Sequence, residues 1–139
     1  MEDRIILNGR AMAPGVAEGK ALVSPEVLQG WNGFDPKTGI IIQEEHSLKG
    51  ECLSGKVFVF VGSRGSTGFS TQFHAAQIYG TAPAALILLS ADSRTAATAA
   101  IAKFPIVTDL EADPFEIIRN GDLVRVDGDA GTVAITRRG

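Results

Sequence analysis

The sequence predicts an α/β domain of three layers, β/β/α, with a central parallel sheet flanked by β segments from both ends of the chain. Two observations carry this. Lys56-Val57-Phe58-Val59-Phe60-Val61-Gly62 is a continuous β-branched and aromatic run ending in glycine, the pattern of a strand buried on both faces. After it, strand and helix patterns alternate as βαβαβ, a rhythm that calls for parallel strands joined by crossover helices. At 139 residues the chain is long enough for one core and too short for two, so residues 1–139 read as a single domain.

Taken in order, Gly15 to Val23 alternates small or apolar with polar residues, as a half-exposed strand does, with bends at Gly15 and Gly19. Trp31 to Gly50 is a long turn-rich excursion. Asn32-Gly33 and Asp35-Pro36 are its turn signals, and Ile40-Ile41-Ile42 fits only a short strand. The central strand at 56–62 opens into the loop Ser63-Arg64-Gly65-Ser66-Thr67-Gly68, and a helix follows from Phe69 to Tyr79, where Phe69, Phe73, Ala76 and Tyr79 recur at helical spacing. Ala84 to Leu89 is a second buried strand, Ser93 to Lys103 an alanine-rich helix and Phe104 to Val107 a third strand. Asp113 to Asn120 is a short helix with Asp113 as N-cap, Pro114 at its first position and Gly121 as its stop. Leu123 to Val126 and Thr132 to Thr136 pair as a hairpin across Asp127 to Gly131.

Composition narrows the functional classes. With 45% hydrophobic and 21% charged residues the chain carries enough apolar surface to fold, which excludes disorder. Thirteen Lys+Arg against sixteen Asp+Glu give a net charge of -3, and basic residues never cluster beyond Arg137-Arg138, so a nucleic-acid role is not expected. The single cysteine, Cys52, cannot close an intrachain disulfide, and two scattered histidines add no metal-binding spacing. No metal site is therefore expected in this chain alone. MEDRIILNGR lacks an apolar signal region, and the longest apolar run, Ala82 to Leu89, is interrupted by Pro83; a cytoplasmic protein is expected.

The loop Gly62 to Gly68 carries the most chemistry. A loop between a buried strand and a helix N-terminus presents backbone N–H groups and the positive end of the helix dipole to an anion, and Arg64 adds a guanidinium that can grip carboxylate or phosphate. It is neither a Walker loop nor a GxGxxG fingerprint. The plainer reading is that Ser66 or Thr67 caps the helix. His74, two turns into the following helix, reads as an ordinary helix residue; His46, beside Glu44 and Glu45, as a solvated loop residue; and Cys52 as a small buried hydrophobe. Asp35, Asp127 and Asp129 read as turn formers.

Together these pieces resemble a known family. GRAMAPGVAEGKALV (Gly9 to Val23), WNGFDPKTGIII (Trp31 to Ile42), His46, GECLSGKVFVF (Gly50 to Phe60), SRGST (Ser63 to Thr67), APAALIL (Ala82 to Leu88), FPIVTDL (Phe104 to Leu110) and GDLVRVDGDAGTV (Gly121 to Val133) together resemble the swivel-domain small subunit of the aconitase X family. The resemblance spans nearly the whole chain and implies an aconitase swivel-like fold. It also implies a hydro-lyase of two parts, a heterodimeric assembly active only once joined. A large subunit would carry the iron–sulfur cluster and most substrate contacts, and this chain would close over it.

The resemblance implies that Ser66 is the proton-abstracting base, with Arg64, Gly65 and Thr67 shaping a substrate anion pocket. Members act on cis-3-hydroxy-L-proline or on 5-phosphomevalonate. Where the family continues with a glycine and a serine after a short spacer, this chain has Gly68-Phe69-Ser70. One arginine without a second cation, with Phe69 beside the loop, favours the imino acid over the phosphate. If a permanent partner docks at this loop, an exposed apolar patch is expected beside it. Two other classes stay open. Pro14 to Gly19, His74-Ala75-Ala76 and Gly121 to Gly128 also look like a mobile phosphohistidine carrier domain, and a non-catalytic interaction subunit would need Ser66 only as a cap.

Overall fold

A computed structural model of the chain describes residues 2–29, 31–64 and 68–138. Its elements run β1 (Glu2–Asn8), β2 (Arg10–Ala13), β3 (Val16–Val23), β4 (Val27–Gln29), β5 (Val57–Phe60), β6 (Gly62–Arg64), α1 (Gly68–Tyr79), β7 (Ala85–Leu88), α2 (Ser93–Ile101), β8 (Ile106–Thr108), α3 (Pro114–Ile117), β9 (Leu123–Asp127) and β10 (Thr132–Arg138). Eight strands form one sheet in the order β1-β10-β9-β3-β5-β7-β8-β2, and β4 pairs with β6 in a small second sheet.

The large sheet folds over into two layers because two stretches of chain change partners along their length. Residues 16–20 of β3 pair antiparallel with β9, while its last three residues pair parallel with β5. At the other end β1 pairs with β10 and β2 pairs with β8, with only Gly9 between them. β5, β7 and β8 are mutually parallel, as the βαβαβ rhythm requires.

Side-chain alternation on the parallel strands sorts residues into two cores. On β5, Val57 and Val59 join Ala85, Ile87, Val124, Val126, Val133 and Ile135 between the two β layers. Phe58 and Phe60 face the other way, onto Phe69, Phe73 and Ala76 of α1. That gives β layer, β layer, helix layer: the predicted β/β/α order. A ring chain, Phe58–Phe60 at 4.3 Å, Phe60–Phe69 at 6.1 Å, Phe69–Phe73 at 5.0 Å and Phe73–Phe34 at 4.9 Å between centroids, carries packing from the sheet through α1 into the excursion.

Several expectations shift. Ile40 and Ile41 make only isolated bridges, to Cys52 and Phe34, because the excursion turns too often to extend a ladder. The helix after Asp113 begins as expected, its N-cap carboxylate accepting the Phe115 N–H at 2.9 Å, but stops at Ile117, with Ile118 already extended. Tyr79, the last residue of α1, is mostly exposed although Phe69, Phe73 and Ala76 are buried. Among the described residues no helix is long and apolar enough to cross a membrane.

Candidate functional site

The C-terminal ends of β5 and β7 open toward the starts of α1 and α2, the rim where ligands bind in open parallel sheets. From Phe60 the chain crosses through Val61 and Gly62 into β6, whose three residues run parallel to β4 in the register Val27↔Gly62, Leu28↔Ser63 and Gln29↔Arg64. Arg64 is thus the last described residue before the crossing to α1. Gly65, Ser66 and Thr67 lie outside the described residues.

Three neighbours frame the crossing. On one side Ser63 Oγ donates to Asp92 Oδ2 at 3.2 Å. Asp92 also starts α2, accepting the Thr95 N–H at 2.9 Å while its own N–H donates to Thr95 Oγ1 at 2.8 Å, a reciprocal cap. Trp31, the first residue after Gly30, lies directly against Gly68. A Cβ on that glycine would sit 2.5 Å from the indole Cε2, closer than atoms can approach, so only glycine fits there. Beyond Trp31, Ile42 is also exposed and lines a shallow cleft with Gln29, Asn32 and Glu44. The cleft's other lining residues are polar, so these two exposed side chains do not by themselves make the apolar patch expected beside the loop.

Behind β4 lies a polar knot. Glu26 Oε1 accepts from Ser24 Oγ at 2.7 Å, from the Ser47 N–H at 3.1 Å and from Ser47 Oγ. These hydrogen bonds, Ser47's first, hold its carboxyl below the usual carboxylate range against a smaller opposing effect of burial. His46, expected in solvent, is buried instead. Its Nδ1 accepts the Leu48 N–H at 3.1 Å and lies 3.8 Å from Glu26, while its Nε2 is buried without a hydrogen-bond partner. Burial pushes the imidazole below its ordinary value, with Glu26 pulling weakly the other way.

The remaining candidates are structural. His74 is exposed on the middle of α1. Cys52 is half-buried, its thiol 3.5 Å from the Thr38 carbonyl oxygen. Asp35 forms its turn by accepting the Lys37 N–H, and Asp127 accepts the Asp129 and Ala130 N–H groups at 3.0 Å each. Phe69 does not reach the loop's outer surface: it is 1% exposed between Phe60 and Phe73. Among the described residues no three His, Cys, Asp or Glu side chains come together. One cysteine cannot supply the thiolates an iron–sulfur cluster needs, so this donor set does not fit such a group.

The aconitase X swivel domain family model matches residues 6–135, nearly the full length of the chain. The chain belongs to the aconitase X swivel-domain family. This swivel domain is 38% identical over 133 residues to the phosphomevalonate dehydratase small subunit of Methanosarcina acetivorans, covering 96% of the chain and 92% of that protein. To the protein of the same name from Pyrococcus furiosus it is 39% identical over 133 residues, covering 96% and 97%. A chain in the crystal structure of Thermococcus kodakaraensis aconitase X, holo-form, superposes with a TM-score of 0.88 at 35% identity, covering 94% of this swivel domain and 98% of that chain. These relatives place the swivel domain among the small subunits of aconitase X-type dehydratases, which are hydro-lyases.

Sequence reasoning singled out Arg64 to Thr67 and passed over Trp31, Gln29 and Asp92. The signal for Trp31 was present: the chain's one tryptophan, set in a Trp-Asn-Gly turn.

Proposed function

We propose that this chain is the small subunit of a two-subunit dehydratase acting on 5-phosphomevalonate, with Ser66 as its base. The observation that carries the substrate is the name shared by curated relatives that match over nearly their whole length. Of the two substrates the resemblance allows, this is the one those names support. The case for cis-3-hydroxy-L-proline leaned on one arginine without a second cation and on Phe69 beside the loop, and of these Phe69 is in the core.

In this reading the chain's own contribution is the proton. Dehydration of a hydroxy acid takes a proton from the carbon next to the carboxylate and expels hydroxide from the neighbouring carbon, leaving a C=C bond and one water. A serine that comes just before a helix in the sequence, in a loop that also carries an arginine able to pair with an anion, is the kind of group whose alkoxide can take that proton. The large subunit, with its iron–sulfur cluster, holds the rest of the substrate; nothing in this chain's donor set substitutes for it.

The test is reconstitution with the large subunit and assay of both substrates. Turnover of 5-phosphomevalonate is expected, and Ser66→Ala should lower kcat by about 10²- to 10⁴-fold, the usual worth of a positioned base. Turnover of the imino acid alone would refute the substrate. Undiminished turnover by Ser66→Ala would refute the base, and activity of the lone chain would refute the division of labour.

A further inference from the structure

We propose that Arg10 is a specificity-determining residue, the guanidinium that receives the substrate's phosphate. The proposal rests on reading 5-phosphomevalonate as that substrate. The sequence around Arg64 offers no second cation for a phosphate; the sheet topology brings one from the other end of the chain.

β5, β7 and β8 run parallel and end at one rim. β2 runs antiparallel beside β8 with Arg10 opposite Thr108, the last residue of that strand, so β2 starts where β8 stops. β6 lies against the same rim: Ser63 bonds Asp92 in the segment that leaves β7, and a Cβ on Gly62 would fall 3.4 Å from the Ser90 carbonyl oxygen. In the order β7-β8-β2, Arg10 is two strand spacings, about 10 Å, from the end of β7. An extended hydroxy acid that ends in a phosphate has comparable length, and the C-terminal rim of parallel strands is where ligands of this kind bind.

The guanidinium is held at this rim but only half used. Asp109, directly after β8, turns at φ 53°, a left-handed conformation that aspartate tolerates better than most residues. Its Oδ2 accepts from Arg10 Nε and lies 3.0 Å from a terminal nitrogen, so both contacts fall on one oxygen. Of the five N–H donors of a guanidinium, the rest have no partner among the described residues. Glu111, the next acid along, is turned onto the Asn8 N–H at 2.7 Å. The backbone beneath is fixed: the Gly9 N–H donates to the Gly131 carbonyl at 2.8 Å, and a Cβ on Gly9 would fall 2.8 Å from the Thr108 carbonyl oxygen. The Arg10 side chain is 63% exposed, and an exposed pair of this kind contributes little to stability, so exchanging the carboxylate for a ligand costs the fold little. A phosphate monoester carries nearly two negative charges at neutral pH and three acceptor oxygens, and a guanidinium fork matches it.

The experiment uses the reconstituted two-subunit enzyme with 5-phosphomevalonate and three variants: Arg10→Gln, Arg10→Lys and, as a charge-matched control, Arg4→Gln, which removes an exposed arginine from β1. Arg10→Gln should raise KM roughly 10- to 100-fold with kcat changed less than about threefold, the signature of a lost charged contact made equally in ground and transition states. Arg10→Lys, which keeps the charge but not the fork, should fall between Arg10→Gln and wild type. Arg4→Gln should leave KM within about twofold, since an exposed charge away from the ligand is screened. Competition separates a phosphate contact from a general one. Inorganic phosphate should inhibit Arg10→Gln about tenfold more weakly than wild type, whereas mevalonate, the same acid without its phosphate, should inhibit both alike. An unchanged KM in Arg10→Gln, a loss confined to kcat, an equal rise in Arg4→Gln, or equal weakening of both inhibitors would each overturn the proposal. Wild-type enzyme that leaves 5-phosphomevalonate untouched refutes the substrate reading and this inference with it; wild-type turnover with an indifferent Arg10→Gln refutes this inference alone.

Discussion

Phe73→Ala should be the most costly single truncation on α1. Phe73 is 1% exposed, and its ring meets Phe34 at 4.9 Å, Phe69 at 5.0 Å and Phe104 at 6.1 Å. It therefore joins three separate stretches: the excursion, the helix's own first turn and the bend leading into β8. A fully buried phenylalanine cut to alanine loses about 3–5 kcal/mol, with the upper half expected where neighbours cannot collapse into the space. Here the neighbours are rings fixed from three directions, so about 4 kcal/mol is expected. That is a large share of the roughly 5–15 kcal/mol that holds a domain folded. Urea unfolding of the full chain should show the midpoint falling by about 2 M at unchanged slope, taking m near 2 kcal/mol/M. Ile78, five residues further on the same helix and 73% exposed, is the internal control: Ile78→Ala should stay within about 0.5 kcal/mol. A Phe73→Ala loss below about 1.5 kcal/mol, or an equal loss at Ile78, would refute the assignment of the helix's inner face.

Two further predictions concern pH. His46 is held neutral by burial, so its folded pKa lies below its ordinary 6.5; the unfolded chain then takes up the proton first, and stability is complete above about pH 7 and declines as pH falls below 6.5. Thermal melts of wild type and His46→Gln across pH 5–8 check this, and a decline of equal size in both would contradict it. Asp122 is desolvated, which pushes its carboxyl up, but the Arg137 hydrogen bonds at 2.7 and 3.2 Å, the Arg119 N–H at 2.9 Å and both guanidinium charges outweigh that and hold it below its ordinary value. Its contribution is complete above pH 3.8 and is lost as pH falls further. Asp122→Asn should cost on the order of 2 kcal/mol at pH 7, the worth of charge-assisted bonds at a part-buried site, and the difference from wild type should shrink in acid melts.

What the sequence made legible was whatever local chemistry settles. Val57 to Phe60 are buried on both faces because a parallel strand between two layers has no solvent side. Asp113-Pro114 starts a helix because cap and fixed φ act within one turn. What escaped depended on distant partners. Glu2 to Asn8 has no clean alternation and becomes a strand only because β10 lies beside it, and Val27 to Gln29 is a strand only because β6 comes back to it. His46 looked solvated beside Glu44 and Glu45, and its burial follows from the way the excursion folds onto Glu26. The candidate base was named from its motif, whereas Trp31 needed the three-dimensional approach of residues 37 positions apart to be noticed.

The ribbon from Glu2 to Ala13 has a consequence for how the domain comes apart. It supplies the terminal strand at both ends of the sheet order, first against β10 and, past Gly9, against β8. Gly9 is tied to Gly131, and Asn8 to Glu111, at that bend. Peeling it from one margin loosens its hold on the other, so the outermost strands on opposite sides open as a single cooperative event and not as two independent frays.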